Sequence, residues 1–133
     1  MITAVDTSVL LDVFLADGRH GERSKQRLRE AYDSGAIVAC DIVYAELAPC
    51  FRDRATMDGA LQAINVTASP INPAIAYEAG MRWKRYREAG GPRKRIISDF
   101  LIGAHALAVA DNFLTRDRGF FSTYFSELEQ KQN

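Results

Sequence analysis

The chain opens with Met1-Ile2-Thr3-Ala4-Val5-Asp6-Thr7-Ser8 and continues with Val9-Leu10-Leu11-Asp12-Val13-Phe14-Leu15. The first stretch has the apolar and β-branched residues of a short buried strand, and the second has the pattern of an apolar helix. We predict that the strand ends at Asp6 and that Thr7 or Ser8 caps the helix. Ligands of open α/β sheets bind beyond the carboxyl ends of the strands, so Asp6 marks a candidate site.

A carboxylate at the end of a buried strand loses its hydration, and this costs free energy unless a cation lies beside it. For Asp6 taken alone, a helix cap without any chemistry is an equally good interpretation. The question is therefore whether further carboxylates reach the same edge of the sheet.

The 133 residues are the length of one domain, covering residues 1–133, and a hydrophobic content of 47% predicts a globular rather than a disordered chain. No apolar run is long enough to span a membrane and no signal peptide opens the chain, so we expect a cytoplasmic protein. The 17 basic and 17 acidic residues balance, and the total charge therefore argues neither for nor against nucleic acid. We expect Cys40 and Cys50 to be buried, and they lack the spacing of a zinc site.

Predicted strands alternate with predicted helices along the chain. Short apolar runs predict further strands at residues 36–40, 64–67 and 112–115, and a weaker edge strand at residues 125–128. Amphipathic or apolar stretches between them predict helices, including a buried one that starts near Ser98 and another capped by Thr56. The alternation predicts a three-layer α/β/α sandwich around a central, mostly parallel sheet of four to five short strands.

Four carboxylates fall where the connections between predicted strands and helices should meet the same edge of the sheet. Asp6 ends the first strand, Glu46 lies one helical turn past the second, Asp99 opens the most buried helix, and Asp117 lies beyond the fourth strand. Crowded carboxylates raise each other's pKa unless a counter-ion is present. Oxygen ligands favour Mg²⁺ or Mn²⁺, and such a site suits metal-assisted hydrolysis of phosphodiester bonds.

Hydroxyl groups accompany these acids. Thr7, Ser8 and Thr115 are suited to holding a carboxylate in place, although helix capping is an equally good interpretation of each. We expect Asp12 to support the site from behind or to face solvent rather than to bind metal.

The residues around these acids resemble those of the PIN-domain ribonucleases, and among them the VapC-type toxins of bacterial toxin–antitoxin pairs. The matching pieces occur in the family's order over essentially the whole chain. They are Val5-Asp6-Thr7-Ser8, Tyr44-Ala45-Glu46-Leu47, Asp99-Phe100-Leu101-Ile102-Gly103-Ala104-His105-Ala106-Leu107 and Leu114-Thr115-Arg116-Asp117-Arg118-Gly119-Phe120.

The resemblance implies a function and a set of partners. Asp6, Glu46 and Asp99 match the acidic triad of the family, Asp117 matches its more variable fourth acid, and Thr115 matches the hydroxyl beside that acid. Family members are Mg²⁺- or Mn²⁺-dependent endoribonucleases that cut transfer or ribosomal RNA and so stop translation. They are homodimers neutralised by a VapB-type antitoxin, and they meet DNA only indirectly through the antitoxin complex.

Basic residues supply candidate RNA contacts. Arg116 and Arg118 flank Asp117, and Arg95 closes a basic stretch at residues 82–95 in which Glu88 is the one acidic residue. That stretch predicts either a nucleic-acid contact or an ordinary solvated helix face.

Two other functions remain open at this point. One is a PIN-fold interaction module without catalysis. The other is a metal-dependent phosphatase with an aspartyl nucleophile, which is less favoured because Ser8 stands where that chemistry usually needs a second acid.

Overall fold

A parallel sheet of short strands forms the centre of the molecule in the computed structural model, which describes residues 1–92 and 96–131. Within these residues the sheet has four strands in the order β3-β2-β1-β4, and every neighbouring pair is parallel. The strands are β1 (Ile2–Val5), β2 (Ala36–Cys40), β3 (Val66–Ser69) and β4 (Asn112–Leu114).

The helices occupy the connections between the strands. They are α1 (Thr7–Phe14), α2 (Gly21–Ser34), α3 (Asp41–Leu47), α4 (Arg54–Ala63), α5 (Pro73–Glu88), α6 (Ile97–Val109), α7 (Arg118–Tyr124) and α8 (Ser126–Lys131). The chain moves outward from β1 to β3 and then crosses back to β4 on the other side of β1. Right-handed crossovers therefore place α1 to α4 on one face and α5 and α6 on the other. The predicted α/β sandwich with a parallel sheet is confirmed.

The central strand β1 is apolar because it is covered on both faces. Thr3 lies opposite Ile37 of β2 and Asn112 of β4, and Ala4 and Val5 are buried. Strands buried on both faces of a parallel sheet have near-continuous apolar sequences, which is the pattern that β1 shows.

Two helix caps differ from the predicted ones for the same reason. Asp6 itself caps α1, where its Oδ1 accepts a hydrogen bond from the backbone N–H of Thr7 at 2.8 Å. Asp53 caps α4, where its Oδ1 accepts the N–H of Thr56 at 2.7 Å. In each case an aspartate precedes the predicted hydroxyl residue, and its carboxylate reaches the free N–H groups of the first turn.

The predicted edge strand at residues 125–128 is wrong, because this segment leads into α8 instead. Phe125 and Leu128 are both buried, and their three-residue spacing brings them to one face of a helix, whereas in a strand they would point to opposite faces. The Phe125 ring packs so closely on Gly103 of α6 that a Cβ atom there would lie 2.7 Å from it. The predicted start of α6 shifts to Ile97, with Ile96 at the cap position.

The described part of the basic stretch at residues 82–95 is largely held in ion pairs. Arg82 contacts both Glu78 and Glu127, Lys84 contacts Glu88, and the guanidinium of Arg87 lies over the Trp83 ring. These contacts fit a structural helix face. Arg95, a predicted RNA contact, lies outside the described residues.

Cysteine burial was predicted correctly at one position. Cys40 is buried at the end of β2, whereas Cys50 is exposed because it ends a short 3-10 turn, Ala48–Cys50, that follows α3. None of the helices in residues 1–92 and 96–131 has the length and apolar character that a membrane span requires.

Candidate functional site

Asp6 lies at the point where the order of the strands reverses. It follows β1 directly, and its N–H donates to the carbonyl of Leu114 at 2.8 Å, which extends the pairing of β1 with β4. The connection after β1 runs toward β2, whereas β4 lies on the other side of β1. Such a reversal opens a crevice at the carboxyl ends of the strands, where ligands of α/β sheets bind.

The Asp6 carboxylate is buried and almost fully hydrogen-bonded. Its Oδ2 accepts from the Thr115 hydroxyl at 2.7 Å and, more weakly, from the Ser8 hydroxyl at 3.4 Å, while Oδ1 accepts from Thr7. Burial nevertheless raises the pKa of Asp6 above its ordinary value, and the nearby charge of Glu46 raises it further. Hydrogen bonds from Thr115, Thr7 and Ser8 offset only part of this rise in pKa.

Thr7 connects Asp6 with Glu46. Its backbone N–H binds Asp6, and its hydroxyl donates to Oε1 of Glu46 at 2.7 Å. Glu46 is exposed on α3, so its carboxylate faces solvent in front of the buried Asp6. One buried and one exposed carboxylate therefore lie close together at the edge of the sheet.

Thr115 connects Asp6 with Asp117. Its hydroxyl donates to Asp6 and accepts the backbone N–H of Asp117 at 2.9 Å. Asp117 is half-buried and precedes α7. The three hydroxyl residues predicted from the sequence, Thr7, Ser8 and Thr115, thus all contact a carboxylate of the site.

Asp99 lies in the first turn of α6 and is half-buried. This helix packs against β1 and α3, the two elements that position Asp6 and Glu46. Within residues 1–92 and 96–131, no group of three or more Asp, Glu, His or Cys side chains lies close enough together to hold a metal ion. The structure brings Asp6, Glu46 and Asp117 into one hydrogen-bonded chain, but it does not gather all four acids into one ligand set.

The donor chemistry of the site nevertheless fits a hard cation. Asp6 and Glu46 offer carboxylate oxygens, which Mg²⁺ and Mn²⁺ prefer, and hydroxyls orient them. The raised pKa of Asp6 shows that burial disfavours its charged form. A cation beside Asp6 would offset this cost in free energy.

Asp12 has a larger part in the site than its sequence position indicated. It is 2% exposed, and its Oδ2 accepts from the Ser24 hydroxyl and from Nε of Arg116, each at 2.7 Å. The backbone N–H of Arg116 also donates to the Ser8 hydroxyl at 3.3 Å. Asp12 therefore holds Arg116 against α1, beside the Asp6 carboxylate. The sequence signal that could have indicated this role is that Asp12 is an acidic residue within an otherwise apolar helix.

The two arginines that flank Asp117 occupy the rim. Arg116 keeps 41% of its side chain exposed although Nε is bound to Asp12, and Arg118 is exposed at the start of α7. Both are available to a ligand that approaches the carboxyl edge of the sheet.

Solved structures share this fold over nearly the whole chain. VapBC2 from Rickettsia felis, bound to a DNA fragment from the promoter, has a TM-score of 0.72 at 18% identity and covers 92% of each chain. VapBC-1 from nontypeable Haemophilus influenzae has a TM-score of 0.69 at 20% identity, covering 96% of this chain and 95% of that one. VapC20 from Mycobacterium tuberculosis, a sarcin-ricin loop cleaving toxin, has a TM-score of 0.61 at 17% identity, covering 89% and 93%.

At these identities the structural likeness concerns the fold. No curated protein matches the chain by sequence. The family model of the PIN domain matches residues 3–126, which include every acid of the candidate site. The chain belongs to the PIN domain family.

Proposed function

We propose that this PIN-domain protein is a Mg²⁺- or Mn²⁺-dependent endoribonuclease and the toxin of a type II toxin–antitoxin pair. The observation that carries the proposal is the pairing of Asp6 with Glu46 through Thr7 at the reversal of strand order. Burying one carboxylate beside another lowers the stability of the fold. A cation bound between the two carboxylates would offset this loss.

Asp6 and Glu46 would hold the cation, and Asp99 and Asp117 are the further acids expected to contribute. When bound, a divalent cation polarises water and neutralises the charge of a phosphate group, which is the chemistry of phosphodiester hydrolysis. Such hydrolysis needs no side-chain nucleophile from the protein.

The hydroxyls of this chain position the acids. The Thr7 hydroxyl donates a hydrogen bond to Glu46. The Thr115 hydroxyl donates one to Asp6 and accepts one from the backbone N–H of Asp117. Ser8 touches both Asp6 and the backbone of Arg116, so it couples the acidic centre to the basic rim.

The toxin role is supported by the extent of the structural likeness. The chain shares its fold with two VapBC assemblies and with an RNA-cleaving toxin over about nine-tenths of its length. On this basis we propose a VapB-type antitoxin as partner, a homodimer as the assembly, and transfer or ribosomal RNA as substrate. DNA would be met only through the antitoxin complex, and the protein would act in the cytoplasm.

The decisive experiment is cleavage of total, transfer and ribosomal RNA by the wild type and by Asp99→Asn, each with Mg²⁺, Mn²⁺ or EDTA. Asp33→Asn is the matched control, because Asp33 is exposed at the end of α2, next to Ser34, whose carbonyl accepts from the amino terminus of the chain. Discrete fragments that require metal, vanish with Asp99→Asn and persist with Asp33→Asn are expected.

Fragments of equal yield from the wild type and Asp99→Asn, or fragments that survive EDTA, would contradict the proposal. The same variants test the toxin role, since induction of the wild type should arrest growth and Asp99→Asn should not. Co-expression of a VapB-type antitoxin should restore growth, and light scattering of the purified protein reports the homodimer.

A further inference from the structure

A groove beside the candidate active site is lined by basic side chains from two parts of the fold. It lies between α2 and the segment that follows β4, and has a volume of about 230 Å³. We call it the arginine groove. Its basic residues are His20, Arg23, Arg27, Arg116 and Arg118.

A second cavity, of about 400 Å³, is lined by the same Arg27 and Arg118. Thr3 of β1 lines this inner cavity and is fully buried. In the described part of the chain, the Thr3 hydroxyl has no hydrogen-bond partner. This hydroxyl is closed off from the cavity, whose charged lining residues are Arg27, Arg118 and Glu30.

Three of the four arginines in the groove form no salt bridge in the described structure, whereas Arg116 pairs with Asp12. Across residues 1–92 and 96–131, no salt bridge joins Arg23, Arg27 or Arg118 to a carboxylate, whereas Arg82 of α5 contacts two glutamates. Burial lowers the pKa of Arg27, and the charges of Arg118 and Arg23 lower it further, with Glu30 opposing in part. The groove therefore has positive charge available to an anion.

The arginine groove lies next to the acidic centre, with Thr115 between them. Thr115 lines the groove and donates to Asp6, and Arg116 is held in the groove wall by the buried Asp12. An extended ligand that reaches Asp6 along this path therefore passes over the arginines.

We infer that the arginine groove binds the phosphodiester backbone of the RNA strand next to the bond that is cut. This inference rests on the proposed function and adds a path for the substrate. Arginine suits phosphate because its planar guanidinium forms paired hydrogen bonds to phosphate oxygens. The lining carries several basic side chains, as nucleic-acid interfaces do, whereas the cores of protein interfaces are depleted in charged residues.

The test measures binding without cleavage. A fluorescently labelled 20-nucleotide oligouridylate is titrated with Asp6→Asn protein and with the same protein carrying Arg27→Ala and Arg118→Ala, at several salt concentrations. The double substitution should weaken binding about 10-fold at low salt. It should also lower the salt slope by about 0.7 for each lost phosphate contact on a single strand.

The matched control is Arg85→Ala in the same Asp6→Asn protein, since Arg85 is an exposed arginine of α5 that pairs with Glu78. It removes one positive charge and should leave affinity and salt slope within twofold of the parent. Arg27→Lys with Arg118→Lys should keep most of the salt slope because the charge remains, which separates lost phosphate contacts from misfolding.

Unchanged affinity in the folded double-alanine variant would overturn the inference, and so would an equal loss with Arg85→Ala. An oligoglutamate peptide probes the other occupant, an acidic protein segment. Binding of this peptide through Arg27 and Arg118 while oligouridylate binding stays intact would also overturn the inference. This test measures binding and does not depend on cleavage. If the groove binds RNA but the protein does not cut RNA, the proposed function is contradicted and the inference about the groove stands.

Discussion

Two aspartates lie at opposite ends of the paired strands β1 and β4. Asp111 precedes β4, its Oδ2 accepts the N–H of Ile2 at 2.8 Å, and its own N–H donates to the Ile2 carbonyl at 2.7 Å. Asp6 follows β1, and its N–H donates to Leu114 at 2.8 Å. Asp111 is exposed, whereas Asp6 is 8% exposed.

The difference separates a structural carboxylate from one that is a candidate for function. Asp111 satisfies an N–H at the start of β1 while staying in water, so its charge costs little. Asp6 also caps a helix, but it is buried, lies near Glu46, and has a raised pKa. Capping alone requires none of these features, since an exposed aspartate such as Asp53 caps α4 equally well.

The largest expected effect is on catalysis. Asp6→Asn should lower the rate of RNA cleavage by about 100-fold or more, as expected when a charge that stabilises the transition state is removed. Asp111→Asn, which makes the same change at the other end of the strands, should stay within twofold because an amide oxygen still accepts the N–H of Ile2. Single-turnover cleavage with Mg²⁺ measures both rates. Similar losses of rate in the two variants would contradict the distinction between Asp6 and Asp111.

A smaller loss should follow removal of the hydroxyl that holds Asp6. Thr115→Val keeps the shape of the side chain but removes the hydrogen bonds to Asp6 and Asp117, and it should slow cleavage about 10-fold. Thr115→Ser should restore most of the rate. Thr67→Val, at an exposed position of β3, is the control. A full rate in Thr115→Val would show that this hydroxyl serves only as a cap.

The smallest expected effect is on stability. The pKa of Asp6 is raised by burial, so the folded protein binds this proton more tightly than the unfolded chain does. Stability therefore falls as pH rises from about 4, where an unfolded aspartate titrates, through the folded pKa of Asp6, and the cost is complete above it. In EDTA, Asp6→Asn should thus unfold at a higher temperature than the wild type at neutral pH.

The difference between the two proteins should shrink as pH falls toward 4, and adding Mg²⁺ should stabilise only the wild type. Thermal unfolding followed by circular dichroism measures these shifts. A wild type that is more stable than Asp6→Asn in EDTA at neutral pH would show that Asp6 contributes to the fold rather than weakening it.

Local patterns in the sequence were sufficient for three of the four described strands and for marking Asp6 as a candidate site residue. The apolar runs at β1, β2 and β4 predicted their strands closely. Asp6 and Thr115 stood out because each directly follows a strand, and Thr7 and Ser8 stood out because they come next after Asp6. The segment at residues 125–128 was misread, because the burial of Phe125 and Leu128 depends on α6 and its Gly103.

The role of the basic residues was harder to predict from the sequence than the positions of the strands. The stretch at residues 82–95 looked like the basic surface, yet Arg82 and Arg85 are paired with glutamates. The groove arginines that form no salt bridge in the described structure are Arg23 and Arg27 of α2 and Arg118 at the start of α7, far apart in the chain. Counting charges along a stretch of sequence cannot show which charged side chains form salt bridges in the folded protein.

The sequence by itself determined the alternation of strands and helices, the aspartate at the end of β1 and its hydroxyl neighbours, because these depend on periodicity and on adjacent residues. The tertiary structure decided which distant residues meet. Asp12 and Arg116 are 104 positions apart, and Thr115 and Asp6 are 109 apart. They come together only because β4 crosses back to pair with β1, and this crossing also places α2 beside the loop after β4 to form the arginine groove.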